Sequence, residues 1–326
     1  MCLLGALATW TPFDPIPQRE QDRFGVCVSP RYGTLEDLTI GDLRFGWYYD
    51  YQFQVSPARP AGVEYAQLVW GYPPDWAKLA LAVLLNRGSL WIVGNEPDNQ
   101  HQDGRTPQEY ARVYHNVYQF VKRLDSAALV AVGGISQPTP LRLQWLDMVL
   151  SAYQERYGRA MPVDVWNIHA SITREQQGSW GSGVPVGVAA TEGQLYAIED
   201  SVNADIFAEY ILTFRRWMRE RGYQDRPLIV SEFGVLQPAE YGFPPERVVE
   251  FMEKTCRFML EARDPELGCP SDGYRLVQRW AWFSLNEPPW DEALGEGFNG
   301  ELLDREAGVL TPMGQAYVQL VLSAAR

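Results

Sequence analysis

Eight short runs of apolar, β-prone residues punctuate this chain: Phe24–Ser29, Leu43–Asp50, Glu64–Trp70, Ser89–Asn95, Ala128–Ile135, Val163–His169, Pro227–Phe233 and Arg279–Ser284. The runs are apolar almost throughout instead of at alternate positions, so strands built from them must be buried on both faces. Buried strands separated by helical patterns form a parallel sheet covered by helices. Eight such units within 326 residues predict an α/β fold, a single-domain (β/α)8 TIM barrel over 21–326 with an N-terminal tail at 1–20.

Several helices carry their own signals. Thr106-Pro107-Gln108-Glu109 combines a capping box with proline at the first helical position, and Tyr110, Val113, Tyr114, Val117 and Val121 follow at helical spacing. A second stripe runs through Phe207, Tyr210, Ile211, Phe214, Trp217 and Met218 and stops at Gly222; a third covers Val248 to Leu260. Thr311-Pro312 opens the last helix. After the first run the chain reads Ser29-Pro30-Arg31-Tyr32, without the glycine-rich turn of a dinucleotide fold, which argues against a nicotinamide or flavin.

A formal net charge of −13 and the lack of any Lys/Arg run argue against nucleic acid or an anionic membrane as partner. Aromatic residues reach 13%, an excess that suits the flat C–H faces of sugar rings as well as it suits a core. Cys2, Cys27, Cys256 and Cys269 form no Cys-x-x-Cys pair, and His101, His115 and His169 show no zinc spacing, so no metal or cofactor is expected. Buried free thiols and a Cys256–Cys269 bridge both remain open. The apolar opening from Met1 to Ala8 fits the remnant of a trimmed export signal, implying an extracellular or cell-envelope location, and equally an ordinary tail of a cytoplasmic protein.

Active sites of such barrels lie at the C-terminal ends of the strands. The fourth run ends Gly94-Asn95-Glu96-Pro97-Asp98 and the seventh ends Ser231-Glu232-Phe233-Gly234, so two glutamates emerge where the barrel opens. Two carboxylates facing each other across a glycosidic bond are what acetal hydrolysis requires, one protonated and one ionised. Whichever of the two is the acid is expected to have a raised pKa, imposed by burial and by its anionic partner.

Asn-Glu-Pro after the fourth strand with Ser-Glu-Phe-Gly after the seventh resembles clan A of the glycoside hydrolases. That resemblance implies Glu96 as acid/base, Asn95 as a contact to the sugar 2-hydroxyl and Glu232 as nucleophile. Leu310 to Tyr317 is similar to the start of the final helix in that clan. Gly46-Trp47-Tyr48-Tyr49, Leu68-Val69-Trp70-Gly71 and Asn95-Glu96-Pro97-Asp98 further resemble the endo-β-1,3-glucanase family with the glycosyl hydrolase catalytic core. A β-glucan substrate follows from the resemblance, as does Trp282 as the sugar platform of the eighth strand. The candidate substrate-binding set adds Asp98 and His169, the latter to position or tune the carboxylates, and Trp47, Tyr49 and Trp70, which lie near strand ends and either line further subsites or fill the core.

The sixth run departs from the clan: it ends His169-Ala170-Ser171, without the tyrosine that supports the nucleophile two residues after the histidine. Tyr196 and Trp180 are substitutes to consider, and Arg44 is a candidate contact to the nucleophile. A second Asn-Glu-Pro, at 286–288, reads as coincidence, because an acid after the eighth strand would crowd a nucleophile on the seventh. The glycine-rich segment from Ser171 to Asp200 is expected to lie over the cleft. A carbohydrate-binding barrel without catalysis and an exo-acting glycosidase are the alternatives.

Overall fold

The computed structural model describes residues 12–38, 41 and 43–325. Strands β1 (Phe24–Cys27), β2 (Trp47–Tyr49), β3 (Glu64–Tyr65), β4 (Gln67–Val69), β5 (Leu90–Val93), β6 (Leu129–Val132), β7 (Trp166–His169), β8 (Leu228–Phe233) and β9 (Arg279–Trp282) fall inside the eight apolar runs. The third run is split in two at Ala66. Interleaved are helices α1 (Trp76–Leu85), α2 (Pro107–Leu124), α3 (Pro140–Tyr157), α4 (Ala204–Glu220), α5 (Pro245–Glu261) and α6 (Pro312–Ala324); a small hairpin, β10 (Leu303–Asp304) with β11 (Val309–Leu310), precedes α6.

The result is an α/β fold with parallel central sheets. Six strands lie in the order β3-β2-β1-β9-β8-β7 and three in the order β4-β5-β6. Parallel bridges Ala131↔Val165 and Ile135↔Ile168 link β6 to the chain around β7. Between β3 and β4, Ala66 N–H donates to Tyr48 O at 2.9 Å.

Two faces of the sheet fill two cores. Cys27, Trp47, Tyr49, Leu68, Ile92, Ala131, Ile229 and Ala281 meet on the inner face. Val26, Tyr48, Trp91, Val130, Trp166, Val230, Trp280 and Trp282 pack outward against the helices. Alternation of side chains along a strand produces this division. The inner face is a packed core, and bulk is balanced by absence: a Cβ on Gly25 would lie 2.5 Å from the Trp47 indole. Phe13 is buried and packs edge-on against Trp47, so part of the expected tail folds under the sheet instead of running free.

The helix signals act locally. Thr106 and Glu109 cap α2 reciprocally, and the Thr311 hydroxyl accepts from Gly314 N–H at the start of α6. Buried Phe207, Tyr210, Ile211 and Phe214 hold α4 on the sheet, each stabilising by about 1.5–3 kcal/mol. Cys27, Cys256 and Cys269 are buried free thiols, so no Cys256–Cys269 bridge forms. Cys2 and the apolar opening lie outside the described residues. No described helix is long and apolar enough to cross a membrane.

Candidate active site

Glu96 is set by a turn. β5 is buried throughout, and the chain leaves it through Gly94 at φ +87°, where a Cβ would lie 2.9 Å from Asp103 Oδ2. Glu96 itself sits at φ 43°, as does Tyr51 at φ 60°. Left-handed non-glycine residues cost roughly 1–3 kcal/mol each and persist where the surroundings hold them. The Glu96 carboxylate accepts from Asn99 Nδ2 at 2.7 Å and lies 3.0 Å from His169 Nδ1.

Glu232 reaches the inner face through an irregularity. Ile229 points inward, so simple alternation would turn Ser231 inward and Glu232 toward the helices. Instead the register shifts: Ile168 pairs with Val230, but His169 pairs with Glu232. A one-residue bulge of this kind re-aims a side chain. Tyr51 Oη donates to Glu232 Oε2 at 2.7 Å, and Tyr49 Oη to the same oxygen at 3.3 Å. One carboxylate oxygen from each glutamate and a ring nitrogen of His169 all lie within 4.8 Å of one another.

His169 mediates between the two acids. Its Nδ1 is 3.8 Å from Glu232 Oε1. Burial opposes its charge, but Glu232 and Glu96 outweigh burial and raise the imidazole above its ordinary value. Burial alone would raise Glu96; the hydrogen bond and charge of His169, with Asn99, hold it below the ordinary carboxylate range instead. Burial and the neighbouring Glu96 push Glu232 up, against the pull of His169 and the two phenols. The expected raised pKa of Glu96 is thus corrected. Facing Glu232 alone it would rise, but the hydrogen bond and charge of His169, which lies between the two acids, favour its ionised form.

A cavity of about 660 Å³ opens over the pair, with Asn95, Trp70, Trp180, Tyr241, Trp290 and Phe298 along its walls. Trp180 comes from the irregular segment after β7, so that segment does border the cleft. It is anchored by Arg142, which ion-pairs Asp98 and lies 2.8 Å from Glu175, all three fully buried.

Of the expected site residues, Asn95, Glu96, Trp70 and Glu232 line the cavity, while His169 lies beneath it between the acids. Four expectations are corrected. Trp282 is fully buried on the outer face, its Nε1 donating to Gly300 O at 2.7 Å; alternation gives the cavity to its neighbour Phe283. Trp47 faces inward but lies too deep, donating to Arg23 O. Tyr49, stacked above Trp47, touches Glu232 instead of the cavity. Asp98 is turned away, accepting from the Ser136 N–H as well as pairing with Arg142.

Arg44 is exposed, its guanidinium on Gly41 O and Leu43 O, and does not reach Glu232. Tyr196 packs on Tyr210. The support given to Glu232 comes from Tyr51, just past β2, a residue that no motif marked. His115 stacks on Tyr157 at 3.7 Å and is structural; His101 borders the cavity.

The fold and the paired carboxylates are of the kind found in glycoside hydrolases. The family described as "Glycosyl hydrolase catalytic core" matches residues 27–179. No curated protein matches. Among solved structures, a family 128 subgroup II endo-β-1,3-glucanase from Pseudomonas viridiflava is 21% identical, covering 91% of this chain and 96% of its own, with a TM-score of 0.58. A family 128 subgroup III curdlan-specific exo-β-1,3-glucanase from Blastomyces gilchristii, in complex with glucose, is 19% identical, covering 92% and 98%, with a TM-score of 0.59. A glucosidase from Croceicoccus marinus is 12% identical, covering 97% and 69%, with a TM-score of 0.63.

Proposed function

We propose that the chain is a retaining hydrolase of β-linked glucan, with β-1,3-glucan the favoured substrate, in which Glu232 is the nucleophile and Glu96 the acid and then the base. The observation carrying this reading is the pair of carboxylate oxygens within 4.8 Å across one cavity. Retaining enzymes hold their carboxyl groups about 5–5.5 Å apart, whereas inverting ones need roughly 6.5–9.5 Å to admit a water. The β-1,3 linkage rests on the similar glucanases, whose action is endo in one case and exo in the other.

In the first step a Glu232 oxygen bonds to the anomeric carbon as the bond to the leaving oxygen breaks, and that oxygen takes the proton held across the His169–Glu96 hydrogen bond. In the second, water attacks the same carbon, gives a proton to Glu96 and releases Glu232. Once the ester neutralises Glu232, His169 loses an anion that favoured its charge, which suits Glu96 to act as base. The phenols of Tyr51 and Tyr49 stabilise Glu232 as an anion and aim it. Asn95 Oδ1 is buried with no partner among the described residues, and it accepts from the sugar 2-hydroxyl. Trp70, 43% exposed, offers a face for a sugar ring.

The neighbour order of the strands, with the bridges across β6–β7 and the short break at Ala66, supports a closed (β/α)8 barrel that forms one domain over 21–326. A barrel without catalysis was suggested by the tyrosine missing after His169; Tyr51 supplies a phenol to Glu232 from the turn after β2 and removes the motive. The test is a pair of variants on laminarin and aryl β-glucosides. Glu232→Gln should abolish turnover of both. Glu96→Ala should fall by about 10²–10⁴-fold on laminarin but far less on an aryl glycoside whose leaving group needs no acid. Wild-type rates in both variants would overturn the assignment.

A further inference from the structure

The second Asn-Glu-Pro has a place in the cavity that coincidence does not explain. Asn286 is buried and clamps the loop after β9 to the loop after β1: its Oδ1 accepts from Ser29 N–H at 2.8 Å, and its Nδ2 donates to Ser29 O at 3.0 Å and Gly33 O at 3.2 Å. Ser284 Oγ accepts the Glu287 N–H at 2.9 Å. Pro288 O in turn accepts from Phe298 N–H at 2.9 Å, so Glu287 is fixed at both its neighbours and its own backbone, and it lines the same cavity as Glu96 and Glu232. Around it stand Trp290 and Phe298, with Phe283 packed edge-on against Phe298 at 5.5 Å.

A held carboxylate beside exposed aromatic faces is the chemistry of a sugar subsite. The rings take the apolar C–H face, and the carboxylate accepts two neighbouring hydroxyls. We infer that Glu287, with Trp290 and Phe298, forms a distal subsite for a neutral hexose unit of the glycan, one removed from the bond that is cut. The inference builds on the glycan-hydrolase reading of this cavity. Neutral sugar is specified because the described cavity walls carry three glutamates and neither Lys nor Arg; a uronic acid or sulfated unit would meet like charge on those walls, and Arg31 and Arg305, whose charge reaches Glu287, do not line the cavity.

Binding separates this subsite from catalysis. The probes are linear β-1,3-gluco-oligosaccharides of increasing length, titrated calorimetrically into Glu232→Gln and into the double variants that add Glu287→Ala or Glu287→Gln. Losing hydrogen bonds to a charged acceptor should weaken binding roughly 10–100-fold. The loss should appear only for oligosaccharides long enough to reach the subsite, and the isosteric glutamine should recover part of it. Equal affinities in all three proteins at every length, or a loss of the same size for the shortest and longest ligands, would overturn the inference. So would the absence of binding by all three proteins. Failure of the hydrolase reading is seen separately, as wild-type protein that binds these ligands and releases no reducing sugar.

Discussion

The Tyr51 hydroxyl donates to Oε2 of Glu232 at 2.7 Å across 181 positions of sequence, from a residue held at φ 60°. An ionised nucleophile needs donors, and this phenol stabilises the charged form. Tyr51→Phe removes one hydrogen bond to a charged group, so kcat should fall by about 10–100-fold. The sign on pH follows: without the donor Glu232 is harder to ionise, its pKa rises, and the acid limb of the kcat/KM profile moves to higher pH. An unmoved limb would show that the hydroxyl is not tuning the nucleophile.

Bridging the acids, His169 gives a second pH signature. Activity should persist upward until the His169–Glu96 pair loses its proton, and the raised imidazole sets that basic limb. His169→Asn should move the limb to lower pH, where a buried Glu96 titrates alone. Gly134→Ala reaches the same end by sterics, because its Cβ would fall 2.3 Å from His169 Cδ2 and displace the ring. A matching pH profile in both variants, with unchanged far-UV circular dichroism, is the expected result.

How much of this was legible in the residues differs by level. Strands β1 to β9 lie inside the eight runs read from apolar content, because strands buried on both faces need no partner to be recognised. Glu96 and Glu232 were found because each ends such a run. The bulge that turns Glu232 inward was not legible, since counting from Ile229 by alternation sends it outward. Trp282 was misplaced by the opposite error, where alternation held and the analogy did not. Tyr51 was missed because its partner is set by folding, and α3 because Arg142 breaks its apolar face; that arginine is buried only through Asp98 and Glu175, which come from other segments.

That ion-paired trio should matter to stability as well as to the cleft. Arg142→Met leaves two buried carboxylates without their cation, and breaking such a network costs about 3–5 kcal/mol. Urea unfolding should show a loss of unfolding free energy of that size, and activity should fall as the Trp180 segment loses its anchor. A loss below about 1 kcal/mol would contradict the role given to the trio.

Burial raises the Glu301 carboxyl to about 7, and its Oε2 has no partner among the described residues. The native state therefore favours the neutral acid. Stability from this group is full below its unfolded value of 4.5 and is lost as pH rises to about 7, on the order of 2–3 kcal/mol in all. Glu301→Gln should flatten the stability profile across that window and leave the variant the more stable protein at pH 7 and above. Parallel profiles for the two proteins would remove Glu301 from the account.

Double displacement between Glu96 and Glu232 is the claim from which the rest follows, and the anomer first released reports on it directly. Proton NMR during early hydrolysis of a β-1,3-gluco-oligosaccharide, before mutarotation, should show the β-anomer appearing first and the α-anomer growing in later. An initial α-anomer would mean that water attacks directly, which two carboxylates this close do not admit.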